Sequence, residues 1–258
     1  MDTGAYLKRI GYKGPLAPTA ETLRELHVAH LLAVPFENLS IHAREPIVLT
    51  DEALFEKIVI RRRGGFCYEL NGLFAALLRG LNFDVSMLSG GVMRPEGRFG
   101  PEFDHMALLV TLRERWLADV GFGESFREPL LLDERAEQAQ RERAYRIDAA
   151  DDRHLILMRR DKGSEWCAQY RFDLEPRGYV DYAEMCRYHQ TSPESHFTQQ
   201  RVCSMATKEG RVTLSQMRLI STGGAERRER ELADEKEYNE ALQVHFGIVL
   251  PGLSSIRC

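Results

Sequence analysis

The chain has 258 residues, 43% hydrophobic and 29% charged, enough for a buried core and unlike a disordered segment. Its net charge of −4, with acids and bases interspersed, argues against a nucleic-acid partner. No stretch approaches the roughly 20 apolar residues of a membrane helix, and the opening MDTGAYLKRIGYKG has no signal-peptide core, so a cytosolic protein with no membrane partner is expected.

Helices come first. Pro18-Thr19 offers a start for a helix with Leu23, Leu26, Leu31 and Val34 on one face, stopped by Pro35. Thr50 can cap a second helix through Leu54, Phe55, Ile58 and Val59. A third begins near Cys67, with Leu70, Phe74, Leu77, Leu78 and Leu81 at helical spacing and Gly80 and Asn82 near its end. The period then changes. Short apolar runs at 85–92, 106–112 and 116–120 read as strands, as do 154–158 and 166–172 on either side of the turn Asp161-Lys162-Gly163-Ser164. The last third is mixed: a short helix at 179–188, a hairpin of 202–206 and 211–214 about Lys208-Glu209-Gly210, and a helix at 234–246 ended by Gly247. The charge run AERRERELADEKE is expected to be a solvated loop and helix face.

Five cysteines stand at 67, 167, 186, 203 and 258. Their odd number, wide spacing and lack of a CxxC pair indicate neither a disulfide framework nor a zinc site, so no metal is expected. Cys67 stands out, in RRGGFCYELNG. Gly64-Gly65 permits a sharp turn and close backbone approach. Cys67 then falls in the first turn of a helix, where unpaired amides and the macrodipole favour negative charge. A lowered thiol pKa follows, with Arg61, Arg62 and Arg63 adding to it if their charges point inward. The alternative is a core cysteine at a helix start.

A thiolate nucleophile needs an imidazole partner, and that imidazole needs an orienting group. His27 and His30 are expected to be satisfied helix residues, His42 follows a loop, and His154, His189, His196 and His245 lack an acid in a comparable strand setting. His105 differs: FDHMALLV places it at the mouth of an apolar strand after a Gly- and Pro-rich loop. WLADVGFG puts Asp119 inside another apolar run, where a carboxylate must be paired. If 106–112 and 116–120 form a hairpin, His105 begins one strand and Asp119 ends the other, side by side. A structural Asp anchoring a turn is the competing reading.

Taken together these residues resemble the arylamine N-acetyltransferase family. The matching patterns run in order: Pro35-Phe36-Glu37-Asn38-Leu39, then Arg63-Gly64-Gly65-Phe66-Cys67-Tyr68-Glu69-Leu70-Asn71, then Asp104-His105-Met106 and Asp119-Val120-Gly121-Phe122-Gly123. Thr191-Ser192-Pro193-Glu194-Ser195-His196-Phe197 and Gly210-Arg211-Val212-Thr213-Leu214 follow. The resemblance implies an α+β fold with a papain-like catalytic core. Its parts are an N-terminal helical bundle over 1–84 carrying the nucleophile, a central β-barrel-like domain over 85–190 carrying His and Asp, and an α/β lid over 191–258. The length is that of the compact bacterial form.

The resemblance also implies a Cys67–His105–Asp119 triad, an acceptor pocket lined by Phe36, Val92 and Phe122, cofactor contacts at Gly121 and Gly123, and acetyl-CoA as acyl donor. The expected reaction is ping-pong acetylation of an arylamine, arylhydrazine or arylhydroxylamine through an acetyl-cysteine. Glu124, directly after Gly-Phe-Gly, departs from the family pattern and bears on how phosphates or acceptor are met. An amide synthase using a carrier-bound acyl thioester, a cysteine peptidase or transglutaminase-like enzyme, and a non-catalytic binding module are the rival readings. The natural acceptor, acyl-chain preference and oligomeric state are left open.

Overall fold

A computed structural model describes residues 1–141, 143–224 and 226–250; Cys258 and the end of the expected lid range lie outside them. Helix α1 (Thr3–Ile10) starts at Asp2, whose Oδ1 accepts the Ala5 N–H at 2.9 Å, and stops at Gly11 with φ 69°. Helix α2 (Ala20–Ala33) is capped by the Thr19 hydroxyl and ends just before Pro35, as predicted. Strand β1 (Phe36–Glu37) and the short α3 (Leu39–His42) follow. Helix α4 (Asp51–Phe55), capped by Thr50, runs into a π-helical turn over Glu56–Ile60, so the predicted second helix widens at its end. Helix α5 (Cys67–Gly80) is the central element. Every residue from Cys67 to Leu78 is buried, because helices pack on one side of it and strands on the other.

The strands after α5 are β2 (Asp84–Val92), β3 (His105–Thr111), β4 (Arg115–Ala118), β5 (Leu130–Leu131), β6 (Gln138–Gln140), β7 (Arg143–Ala149), β8 (Leu155–Asp161) and β9 (Cys167–Phe172). They form one antiparallel, nearly closed barrel-like sheet in the order β5-β4-β3-β2-β9-β8-β7-β6. Strands β8 and β9 meet at the predicted turn, where Gly163 has φ 79° and the Ser164 N–H donates to Asp161 O at 3.0 Å. A short 3₁₀ turn over Tyr179–Tyr182 leads into α6 (Ala183–Thr191), followed by α7 (His196–Gln199).

A second sheet takes β10 (Val202–Ala206), β11 (Gly210–Ser215), β12 (Arg218–Gly223) and β13 (Glu226–Glu231) in the order β1-β10-β11-β12-β13. Its core packs on α8 (Glu235–Phe246), which begins at the Asp234 cap and ends at Gly247, as predicted. The charge run is solvated and its last residues open α8, as expected, but Glu226–Glu231 is an exposed edge strand and not a loop. Pairing with β12 forms it, since one hydrogen-bonded edge suffices when neither face is buried.

The largest buried cluster joins α1, α2, α4 and α5 to β2, β3 and β4 and reaches Phe197. No helix among the described residues is long and apolar enough to cross a membrane.

Candidate active site

The stretch Arg63-Gly64-Gly65 holds the start of α5 against β1. The Glu37 N–H donates to Gly65 O at 2.8 Å, and a side chain at Gly64 would overlap the Pro35 carbonyl. Arg63 is paired with a glutamate: its guanidinium lies 2.9 Å from Glu37 Oε1, with both side chains buried. Arg61 pairs with Glu45 at 3.4 Å near the surface. Arg61 and Arg63 are thus engaged with glutamates, and the predicted cationic assistance to the thiol is absent from these contacts.

Cys67 is the first residue of α5 and is 3% exposed. Burial pushes its thiol well up, and the Asp119 and Asp104 carboxylates act in the same direction, while the Met106 backbone N–H favours the thiolate. This reverses the expected lowering. Loss of water is the largest of these effects and favours the neutral thiol, so a thiolate here requires a cationic partner such as a protonated imidazole.

An imidazole that shares a cavity with Cys67 is that of His105. His105 opens β3, and strand pairing ends at Leu108–Ala118, leaving Asp119 one residue beyond β4. His105 Nε2 donates to Asp119 Oδ2 at 2.8 Å, with both side chains buried. Bonding at Nε2 leaves Nδ1 as the other imidazole nitrogen, and the ring is flanked by Phe122 at 5.1 Å and Tyr170 at 4.9 Å between centroids. Burial works to raise the Asp119 carboxyl, but His105, Asn71 and the Gly121 N–H hold it below the usual carboxylate range.

Two residues complete this frame. Asn71, one turn after Cys67, donates from Nδ2 to Asp119 Oδ1 at 2.9 Å and to Met106 O at 2.6 Å, while its Oδ1 accepts the Val120 N–H at 2.9 Å. Its sequence signal is a polar residue four positions after the cysteine, on the same face of the helix. His27, expected to be satisfied within its helix, reaches across to this region. Its Nε2 accepts the Asp119 N–H at 3.1 Å and its Nδ1 bonds Arg127 O at 2.6 Å. Burial pushes its pKa down to about 4, keeping the neutral form those two bonds require.

Cys67 and His105 line one cavity of about 350 Å³, and the three predicted acceptor-pocket residues, Phe36, Val92 and Phe122, line it too. Phe197 and Val202 add apolar surface from α7 and β10. Gly121 also lines it. A Cβ there would stand 2.7 Å from Cys67 Cα and 2.7 Å from Asn71 Nδ2, so close packing on α5 requires the bare backbone. Gly123 has φ 81° and borders a narrow recess with Arg127 and Arg211.

A larger pocket, about 590 Å³, lies between the barrel-like sheet and the second sheet, where Arg127, Arg141, Arg143, Arg211 and Arg227 outnumber Glu124, Glu209 and Glu226. Glu124 is bonded to Arg143 at 2.6 Å. Burial works to raise its carboxyl, but Arg143, with Arg211 and Arg159 nearby, holds it below the ordinary value. Arg211 is pushed down to about 10 by burial, with Arg127 and Arg143 adding repulsion. The charge at Glu124 is therefore met by arginine.

The ligand atoms of Glu102, His154 and Asp173 gather within 4.8 Å. Asp173 is held at 3.1 Å by both Arg153 and Arg177, which repel a cation there.

A family model described as N-acetyltransferase matches residues 19–254. The arylamine N-acetyltransferase of Mycolicibacterium smegmatis is 38% identical over 221 residues, covering 83% of this chain and 80% of that protein. That of Escherichia coli K12 is 33% identical over 247 residues, covering 94% and 87%. Among solved structures, Mycobacterium marinum arylamine N-acetyltransferase superposes with a TM-score of 0.89 at 34% identity, covering 96% of this chain and 93% of that one. The same enzyme in complex with CoA gives 0.88 at 34% identity, with the same coverage. Likeness of this extent, in sequence and in backbone alike, establishes that the chain belongs to the arylamine N-acetyltransferase family of acyltransferases.

Proposed function

We propose that this protein acetylates the nitrogen of arylamines, arylhydrazines and arylhydroxylamines from acetyl-CoA, by a ping-pong route through acetyl-Cys67. The observation that carries the reading is the 2.8 Å His105–Asp119 hydrogen bond in a cavity wall that also presents the Cys67 thiol. In the first half-reaction the thiol proton passes to His105 Nδ1 and the thiolate attacks the thioester carbonyl. The carbon–sulfur bond to CoA breaks, and the CoA sulfur takes the proton from His105. In the second, the acceptor nitrogen attacks acetyl-Cys67, His105 removes a proton from that nitrogen, and Cys67 leaves as the thiolate. Asp119 holds the ring in the tautomer that presents Nδ1 and stabilises the imidazolium. Backbone N–H groups, that of Cys67 and one near Asp104, are the proposed donors to the oxyanion.

Phe36, Val92 and Phe122 form the proposed acceptor walls and keep water from the acyl-enzyme. Gly121, in the wall of the Cys67 cavity, and Gly123, beside it, are the proposed contacts for the donor. The arginine-lined pocket suits the donor's phosphates, since planar guanidinium groups bind phosphate in bidentate fashion.

The test is intact mass after incubation with acetyl-CoA alone. The wild type should gain one acetyl group, mapped to Cys67, and lose it on addition of an arylamine. Cys67→Ala should gain none and lose turnover altogether. An active Cys67→Ala variant would falsify the nucleophile assignment.

A further inference from the structure

The wall of the Cys67 cavity carries a second acid–imidazole pair, unused by the chemistry above. Asp104 Oδ1 lies 3.4 Å from His189 Nε2 and accepts from Arg94 Nη2 at 3.4 Å, while Oδ2 accepts the Val92 N–H at 3.3 Å. Gly100 makes room for the carboxylate, for any side chain there would overlap Oδ2. His189 is 1% exposed, and its Nδ1 lies 3.1 Å from Ser195 Oγ, the cap of α7. Burial works to raise the Asp104 carboxyl, but His189, Arg94 and the Val92 N–H hold it below the usual range, so it is an anion at neutral pH.

Among the described residues lining the cavity, Asp104 is the only Asp, Glu, Lys or Arg. Its cationic partner Arg94 has a side chain 41% exposed, where water and salt screen it. Asp104 itself is 7% exposed. His189 does not line the cavity and Arg94 is screened, so the interior senses the carboxylate more than either partner. A fixed anion this close to the nucleophile opposes the thiolate and offers nothing to the donor half-reaction. Its effect on incoming acceptors is different: it discriminates by charge.

We propose that Asp104 determines acceptor specificity, repelling ring amines that carry a carboxylate or sulfonate and so selecting uncharged or cationic arylamines and arylhydrazines. The proposal rests on the reading of Cys67 as the acyl-carrying nucleophile. Like charges several ångströms apart in a medium of intermediate dielectric change binding by roughly tenfold or more.

The experiment compares p-aminobenzoate with its ethyl ester, which keeps ring and amine but removes the charge. The ratio of kcat/KM for ester over acid should fall about tenfold on Asp104→Asn, mainly through the KM of the acid. Arg94→Gln, at a half-exposed position, should widen the ratio about threefold by unmasking the carboxylate. An unchanged ratio in both variants overturns the proposal, and so does a wild type that favours the acid. CoA release from acetyl-CoA without acceptor separates the two readings. Its absence in the wild type sinks the nucleophile reading; normal release with an unmoved ratio sinks the role of Asp104 alone.

Discussion

At the scale of single residues, the thiol is harder to ionise than its place at a helix start suggests. Cys67 and Cys203 are buried with thiols pushed well up, and Cys186 is pushed up to about 12, while Cys167 is exposed. Exposure alone would make Cys167 react first. If His105 takes the Cys67 proton, iodoacetamide at neutral pH should alkylate Cys67 ahead of Cys167, and His105→Ala should reverse that order, read by peptide mass mapping. His27 supplies a stability signature. Its folded pKa, about 4, lies below the unfolded value of about 6.5, so its contribution is complete above pH 6.5 and is lost as pH falls through 4. The unfolding free energy from urea titrations should drop on acidification through that window by up to about 3 kcal/mol from this group. His27→Gln should flatten that part of the slope. The pairing of His105 with Asp119 is legible from their spacing because a hairpin is local. Asn71, His27 and His189 are not, because their partners lie on other elements and only the packed structure brings them together.

At the scale of elements, helices α2, α4, α5 and α8 are legible because Thr19, Thr50 and Asp234 cap three of them and apolar spacing marks the fourth. Helix α1, only Thr3–Ile10, is too short for periodicity to stand out. Strands β7 and β13 escape notice for another reason: their charged residues mask any alternation, and register with a neighbour defines them. In β13 the charges have a physical consequence. Among the described residues the strand pairs on one side only, and Glu, Arg, Arg, Glu, Arg, Glu line an open edge. Such an edge resists pairing with another copy because desolvating those charges is costly. Replacing Arg228 and Arg230 with Val should produce self-association beyond that of the parent protein, growing with concentration in light scattering.

At the scale of the molecule, the cavity and the arginine pocket each draw walls from distant parts of the chain. The pocket at the junction of the two sheets is the proposed seat of the donor's phosphates. Arg141→Ala, at an exposed position on its rim, should raise the KM for acetyl-CoA about fivefold and leave that for S-acetylpantetheine unmoved. Steady-state kinetics with both donors checks this, and equal changes would remove the pocket from donor recognition. No local sequence pattern reveals either space, because each arises where separate layers meet. The pairing of β1 with β10 has a further consequence. On the ribosome, the cysteine emerges well before Val202 and Ser215, so the nascent polypeptide bears its reactive sulfur without the far wall that will enclose it. An acyl group captured at that moment would meet bulk water and be hydrolysed. On the proposed acyl-cysteine route, translation must therefore reach β11 before the acyl group can be retained, and truncated products should hydrolyse acetyl-CoA slowly instead of passing the acetyl group on.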